Sequence, residues 1–348
     1  MASLNRTSLN RRRLVASTAA AAAFGPAALA THVHAQDAVW PSGSLQIMAP
    51  AAPGGGWDTT ARELQRVIEE ESIVSTGVEV FNVEGAGGTI GLAELVNEHK
   101  GDANYLMVMG LVMIGSIGIN ESPITLDQVT PIARLTGEFE VVVVPAESEH
   151  QDLASLVEAL KADPASVSWG GGSAGGTDHI LVAMIAQAVG ADTSQINYVP
   201  FSGGGEALAS VLGGQTTAGV SGLSEWASQI ESGELRALAI SGRPTASDGA
   251  ATPAVETDLA TSIPTLKDQG VDVELANWRG VVAPPEVDDA TVTAIVDTLG
   301  KLHDSQGWTD ALATNGWIDL YLAGPEFKTY LDEQITTINE TLKQLGMI

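Results

Sequence analysis

Four times in this chain a short apolar run ends in a glycine-rich turn and a helical pattern follows, and that repeat limits the fold more than any other feature. Leu45 to Met48 leads into Ala49-Pro50-Ala51-Ala52-Pro53-Gly54-Gly55-Gly56-Trp57-Asp58, after which Ala61, Leu64, Val67 and Ile68 recur at the three-four spacing of one buried helical face. Val78 to Val83 leads into Glu84-Gly85-Ala86-Gly87-Gly88-Thr89 and a helix from Ile90 to Asn97. Val167 to Trp169 leads into Gly170 to Thr177 and a helix from Asp178 to Val189. Ile196 to Val199 leads into Pro200-Phe201-Ser202-Gly203-Gly204-Gly205-Glu206 and a helix from Ala207 to Leu212. Tyr105 to Met109, ending at Gly110, and Val220-Ser221-Gly222 read as further strands. Alternating strands and helices predict an α/β fold with mostly parallel sheets, and ligands of such sheets sit at the carboxyl ends of the strands, where these glycines fall.

The first turn shows what the pattern can do chemically. Glycines let a ligand approach the backbone, and a helix start offers unpaired N–H groups with the positive end of the macrodipole. Asp58 stands where an N-cap is expected. The result is an anion site made from main chain, or, in the plainer reading, a tight strand-to-helix turn without a ligand.

Two stretches predict a crossing between lobes. Arg134 to Val144 is long for a single strand, and Leu235 to Ile240 supplies a matching return. The expected layout is therefore 36–134 with 243–348 as one lobe and 135–242 as the other, joined by two hinge strands, with Arg134 and Arg236 pairing acids such as Glu138 or Glu140. In the C-terminal third, Ala276 to Ala283 reads as a strand broken by Pro284-Pro285, and Asp289 as the cap of a helix. Pro325 opens a last helix whose apolar stripe, Phe327, Leu331, Ile335, Ile338, Leu342 and Leu345, belongs to the core.

Charge and composition exclude whole classes of partner. A formal charge of -27 with only 16 Lys and Arg leaves no basic patch for nucleic acid or anionic membrane, and the lack of Cys removes disulfides and thiolate metal sites. Asn10-Arg11-Arg12-Arg13-Leu14-Val15 resembles a twin-arginine export motif, the apolar run from Ala16 to Ala30 is too short to span a bilayer, and Val33-His34-Ala35 fits a cleavage site. Residues 1–35 thus read as a signal peptide. Losing Arg6, Arg11, Arg12 and Arg13 with it leaves 12 basic against 43 acidic residues, a net charge of -31. Such a surface suits a salty medium, where a Debye length of about 5 Å or less screens self-repulsion.

Two enzyme motifs compete for the same loop. Gly170-x-Gly172-x-x-Gly175 matches a dinucleotide fingerprint, but the following strand ends in Pro200-Phe201 with no acid for a ribose. Gly171-x-Ser173-x-Gly175 matches a nucleophile elbow in the right strand-turn-helix context, so the alternative function is a secreted α/β serine hydrolase using Ser173. Its triad would need Asp288, Asp289 or Asp297 with His303, or His179 as a neighbour on the helix face. The remaining histidines stand singly and give no metal site.

Pro53 to Asp58, Gly85 to Gly88, Gly170 to Thr177, Phe201 to Gly205 and Asn277-Trp278-Arg279-Gly280, in this order, resemble the substrate-binding proteins of tripartite tricarboxylate transporters, the TctC/Bug type. The Trp57 and Arg279 positions look closest to the citrate-type branch. The resemblance implies a two-lobed periplasmic binding protein of the type II-like Venus flytrap kind, not an enzyme and without a cofactor. It implies a monomer that closes on a carboxylate, a tricarboxylate such as citrate or a dicarboxylate, and delivers it to a large and a small membrane subunit. In such a clamshell, amides at Gly54, Gly55 and Gly56 and at Ser173, Ala174, Gly175, Gly176 and Thr177 would meet the ligand from opposite lobes. Hydroxyls of Ser173, Thr177, Ser202 and Ser221 would complete the contacts. Pro53, Trp57, Asp58, Gly110, Gly203 and Trp278 fill out the expected site. Arg279, beside Trp278, is expected to give a bidentate carboxylate contact, with an internal salt bridge as the alternative.

Overall fold

A computed structural model describes residues 40–243 and 258–348, so the export segment read from residues 1–35 lies outside the described residues. Element order alternates almost throughout: β1 (Leu45–Ala49), α1 (Gly56–Glu70), β2 (Val78–Asn82), α2 (Thr89–Glu98), β3 (Tyr105–Gly110), α3 (Leu111–Ile119), β4 (Thr130–Pro145) and α4 (Leu153–Ala162). There follow β5 (Ser168–Gly171), α5 (Thr177–Val189), β6 (Asn197–Pro200), α6 (Gly204–Leu212), β7 (Ala218–Gly222), α7 (Leu223–Glu231) and β8 (Leu235–Ile240). The chain ends with α8 (Asp258–Ser262), β9 (Ala276–Ala283), α9 (Asp289–His303), α10 (Gln306–Asn315), β10 (Ile318–Ala323) and α11 (Gly324–Gln344).

One strand organises the sheet. β4 is 16 residues long and buried from Ile132 to Val144, and its two ends serve different neighbours. Thr130 to Phe139 pair with β9 and β10, whereas Glu140 to Pro145 pair with β7 and β8. The order is β2-β1-β3-β9-β4-β7-β5-β6, with β8 and β10 also on β4. β1 lies parallel to β2 and β3, and β5 parallel to β6 and β7, but every pairing of β4 and β9 is antiparallel. The two-lobed α/β class therefore holds with mixed rather than mostly parallel sheets, because the strands that cross between the halves run against their neighbours.

Helices cover the sheet as the periodicity predicts. In α1, Trp57, Ala61, Leu64, Val67 and Ile68 are buried; in α11, Phe327, Leu331, Ile338 and Leu342 are. A second core gathers Val142, Val144, Trp169, Leu181 and Ile185, and Leu266, Val271 and Val273 join it, so packing with the second half continues past residue 243. Two caps move by a residue or more. Gly55, not Asp58, is the N-cap of α1, and Asp288, not Asp289, caps α9 by accepting from the Thr291 amide at 3.0 Å. α3 carries apolar residues on every face and is packed against α11, so it shows no amphipathic stripe to read.

Candidate functional site

The glycine turns converge on one cavity of about 350 Å³. Its wall includes residues from the first turns of α1, α3, α5, α6 and α7 (Gly56 and Trp57, Val112, Thr177 and Asp178, Gly204 and Glu206, Glu225), with the Gly85 to Gly88 turn before α2. Helix starts leave their first amides without intrahelical partners, and five of them around one hollow put partial positive charge on its surface. Contacts bridge the loops: Ser116 Oγ donates to Ala174 O at 3.3 Å and Thr177 Oγ1 to Asn277 Oδ1 at 3.1 Å.

Three of the amides read as ligand donors are engaged inside the protein. Gly54 N–H donates to Asp58 Oδ2 at 2.9 Å, Gly175 N–H to His179 Nδ1 at 3.1 Å and Gly176 N–H to Ser173 O at 2.9 Å. Asp58 is a loop clamp rather than a cap. It also pairs with Arg62 at 2.9 Å and accepts from Asn82 Nδ2 at 2.9 Å. Against the upward push of burial, Arg62, the Gly54 amide and Asn82 hold its carboxyl below the usual range.

Side chains bring mostly negative charge. The ionisable residues lining the cavity are Asp178, Glu206, Glu225 and Arg279. Arg279 is 2% exposed and its Nη2 donates to Glu138, itself 2% exposed, so the internal salt bridge is formed. Glu138 also accepts from Ser224 Oγ at 2.6 Å, tying β4 and β9 to the start of α7. Gly56 allows the guanidinium to lie against α1, since a Cβ there would sit 2.6 Å from Arg279 Cζ. Burial pushes Asp178 up to about 6, with the Gly172 amide, 2.6 Å away, pulling the other way. Burial, and then Glu138, push Glu225 up to about 7 against the pull of Arg279. Glu140, behind them, is raised well above the usual range by burial and then by Asp178.

Of the residues expected from sequence, the cavity is lined by Gly55, Gly56, Trp57, Ser173, Ala174, Gly176, Thr177, Ser202, Gly203, Ser221 and Arg279. Pro53, Gly54, Asp58, Gly110, Gly175 and Trp278 do not line it. Trp278 faces the other side of β9, where its Nε1 donates to Gln334 at 3.3 Å. Arg134 and Arg236 correct the expected pairing with Glu138 or Glu140: Arg134 donates to Leu320 O at 2.7 Å, and Arg236 to Ala146 O at 2.6 Å and His150 O at 3.2 Å. The acids Asp178, Glu206 and Glu225 had no distinguishing local pattern in the sequence. The hydrolase geometry is not assembled either. His179 holds the Gly175 amide and stacks on Tyr198, burial pushes it down to about 4, and His303 bonds Asp319 and Asp304.

A two-lobed α/β frame with a cavity ringed by helix starts at its strand ends is the frame of a solute receptor. The chain matches the Tripartite tricarboxylate transporter family receptor over residues 61–347, and it belongs to that family, which is one of solute receptors rather than enzymes. It is 24% identical to Protein BugT of Bordetella pertussis, over 88% of this chain and 90% of BugT. A solved periplasmic transporter superposes with a TM-score of 0.77 at 25% identity, covering 88% of this chain and 99% of that one. MatC from Rhodopseudomonas palustris with bound malate has the same fold, with a TM-score of 0.71, 20% identity and coverage of 87% and 100%.

Proposed function

We propose that the protein is a periplasmic receptor that captures a small carboxylate in the 350 Å³ cavity and hands it to the large and small membrane subunits of a tripartite transporter. A dicarboxylate or a tricarboxylate such as citrate is the starting set, and the malate held by the MatC fold belongs to it. The observation that carries the reading is the ring of helix starts, which attracts an anion without a free cationic side chain. β4 and β8 act as hinge strands, and closure brings the loop after β1 onto the loop after β5. Among the described residues no helix is long and apolar enough to cross a membrane. Cleavage near Ala35 would release the mature receptor.

A thermal-shift panel of plain, hydroxy-, amino-, di- and tricarboxylates tests this. A ligand at a hundredfold excess over its Kd stabilises by about 2.7 kcal/mol, a shift the assay resolves. An unchanged melting temperature across the whole panel overturns the receptor reading.

A further inference from the structure

Within the carboxylate-receptor reading, the cavity's charges discriminate between ligands. Among the described residues its one cationic side chain, Arg279, is already paired with Glu138, while Asp178, Glu206 and Glu225 line the same space. Two of these acids have backbone partners: Asp178 accepts from the Gly172 amide at 2.6 Å and Glu206 from the Ser202 amide at 3.1 Å. Glu225 differs. Its Oε2 meets only the Ser221 hydroxyl, at a long 3.3 Å, and among the described residues no hydrogen bond reaches its Oε1. The fold makes room for this carboxylate, because a Cβ on Gly204 would lie 2.9 Å from Glu225 Cδ.

A second buried group nearby also lacks a partner. Among the described residues no hydrogen bond reaches Arg279 Nη1, which is itself enclosed behind the cavity wall. An acid left without a cation or a backbone donor suits a ligand that brings a positive group of its own. A second or third carboxylate would meet Glu225 and Asp178 in a low-dielectric hollow with no free cation to offset the repulsion.

We propose that Glu225 is a specificity residue that receives the ammonium group of an amino-bearing carboxylate whose carboxylate end rests on the helix-start amides. Its raised pKa fits an acid waiting for a cation, since an ammonium beside it restores the ionised form. The ligand class is then an amino acid rather than a carboxylate without an amine.

Calorimetric titration of the intact mature receptor with two matched sets tests this: aspartate, malate and succinate, then alanine, lactate and propionate. In at least one set the amino member should bind at least tenfold more tightly than both others. Glu225→Gln, which keeps the shape and removes the charge, should abolish that preference by weakening the amino member alone. Equal or tighter binding of the hydroxy or plain acid in both sets overturns the proposal while leaving the carboxylate receptor standing. So does a preference that survives Glu225→Gln. Binding of no member overturns the proposal, and the wider thermal-shift panel with its tricarboxylates then decides the receptor reading. The wild-type comparison decides the ligand class even where the variant folds poorly.

Discussion

The glycine loops and the charged wall of the cavity use opposite means. The loops present backbone dipoles from helix starts and hold their shape through local bonds such as Gly54 to Asp58 and Gly172 to Asp178. The wall is built from strands and helix starts far apart in sequence, and it places Glu138, Glu140 and Glu225 around Arg279, with Asp178 beside Glu140. In the proposed receptor one side attracts an anion and the other screens out surplus negative charge. On that proposal, affinity for a carboxylate and choice among carboxylates have separate structural sources, backbone for the first and side chains for the second.

The largest test breaks the wall. Arg279→Met leaves Glu138 buried without its cation, which costs about 3–5 kcal/mol of stability, read from urea unfolding of the ligand-free protein. Adding Glu138→Gln should restore most of that loss, because the penalty is the uncompensated charge and not the missing contact. A loss below about 1 kcal/mol in the single variant would mean the pair does not hold the wall together.

A smaller effect separates Glu225 from its neighbours by pH. An acid whose folded pKa is raised to about 7 binds more protons folded than unfolded, so its stabilisation is full below the ordinary carboxylate range and is lost as pH rises through 7. Between pH 5.5 and 8 that amounts to about 2 kcal/mol for Glu225. Asp178, raised to about 6, and His303, also raised, push the same way, while His179, lowered to about 4, pushes against them. The readable quantity is therefore the difference between wild type and Glu225→Gln. The variant should lose less stability over this range, and identical pH profiles would show that Glu225 is not held protonated by the fold.

The loops were legible in the sequence and the wall was not, for a physical reason. A strand, a glycine turn and an amphipathic helix are each written in consecutive residues, which is why β1, β5 and α5 are located within a residue or two and α1 within three. The wall depends on register. Glu138 lies opposite Asn277 and Thr136 opposite Arg279, so period-two alternation puts Glu138 and Arg279 on one face although 141 positions separate them. Pairing Arg134 and Arg236 with Glu138 or Glu140 relied on a shared hinge, where only the register could decide. Glu225 lies in the first turn of α7, and a lone acid at such a place reads as a dipole-compensating surface charge.

The smallest effect is optical, and it locates the loops relative to the ligand. Trp57 and Trp278 were both expected at the cleft, but only Trp57 lines the cavity; Trp278 packs edge-on against Phe327 and Tyr330 on the opposite side of β9. Trp169, Trp226, Trp308 and Trp317 are at most 1% exposed and lie outside the lining. A bound solute changes the water and the field at Trp57 directly, whereas Trp278 senses it only through a shift of β9. Saturating a titrated ligand should therefore change intrinsic fluorescence in wild type and in Trp278→Phe, and Trp57→Phe should remove most of the change. The reverse assignment, with the signal kept in Trp57→Phe and lost in Trp278→Phe, would move the binding event to the cavity behind β9 lined by Arg134, Tyr330 and Gln334. That outcome would also dissolve the contrast between loops and wall, since neither lines that second space.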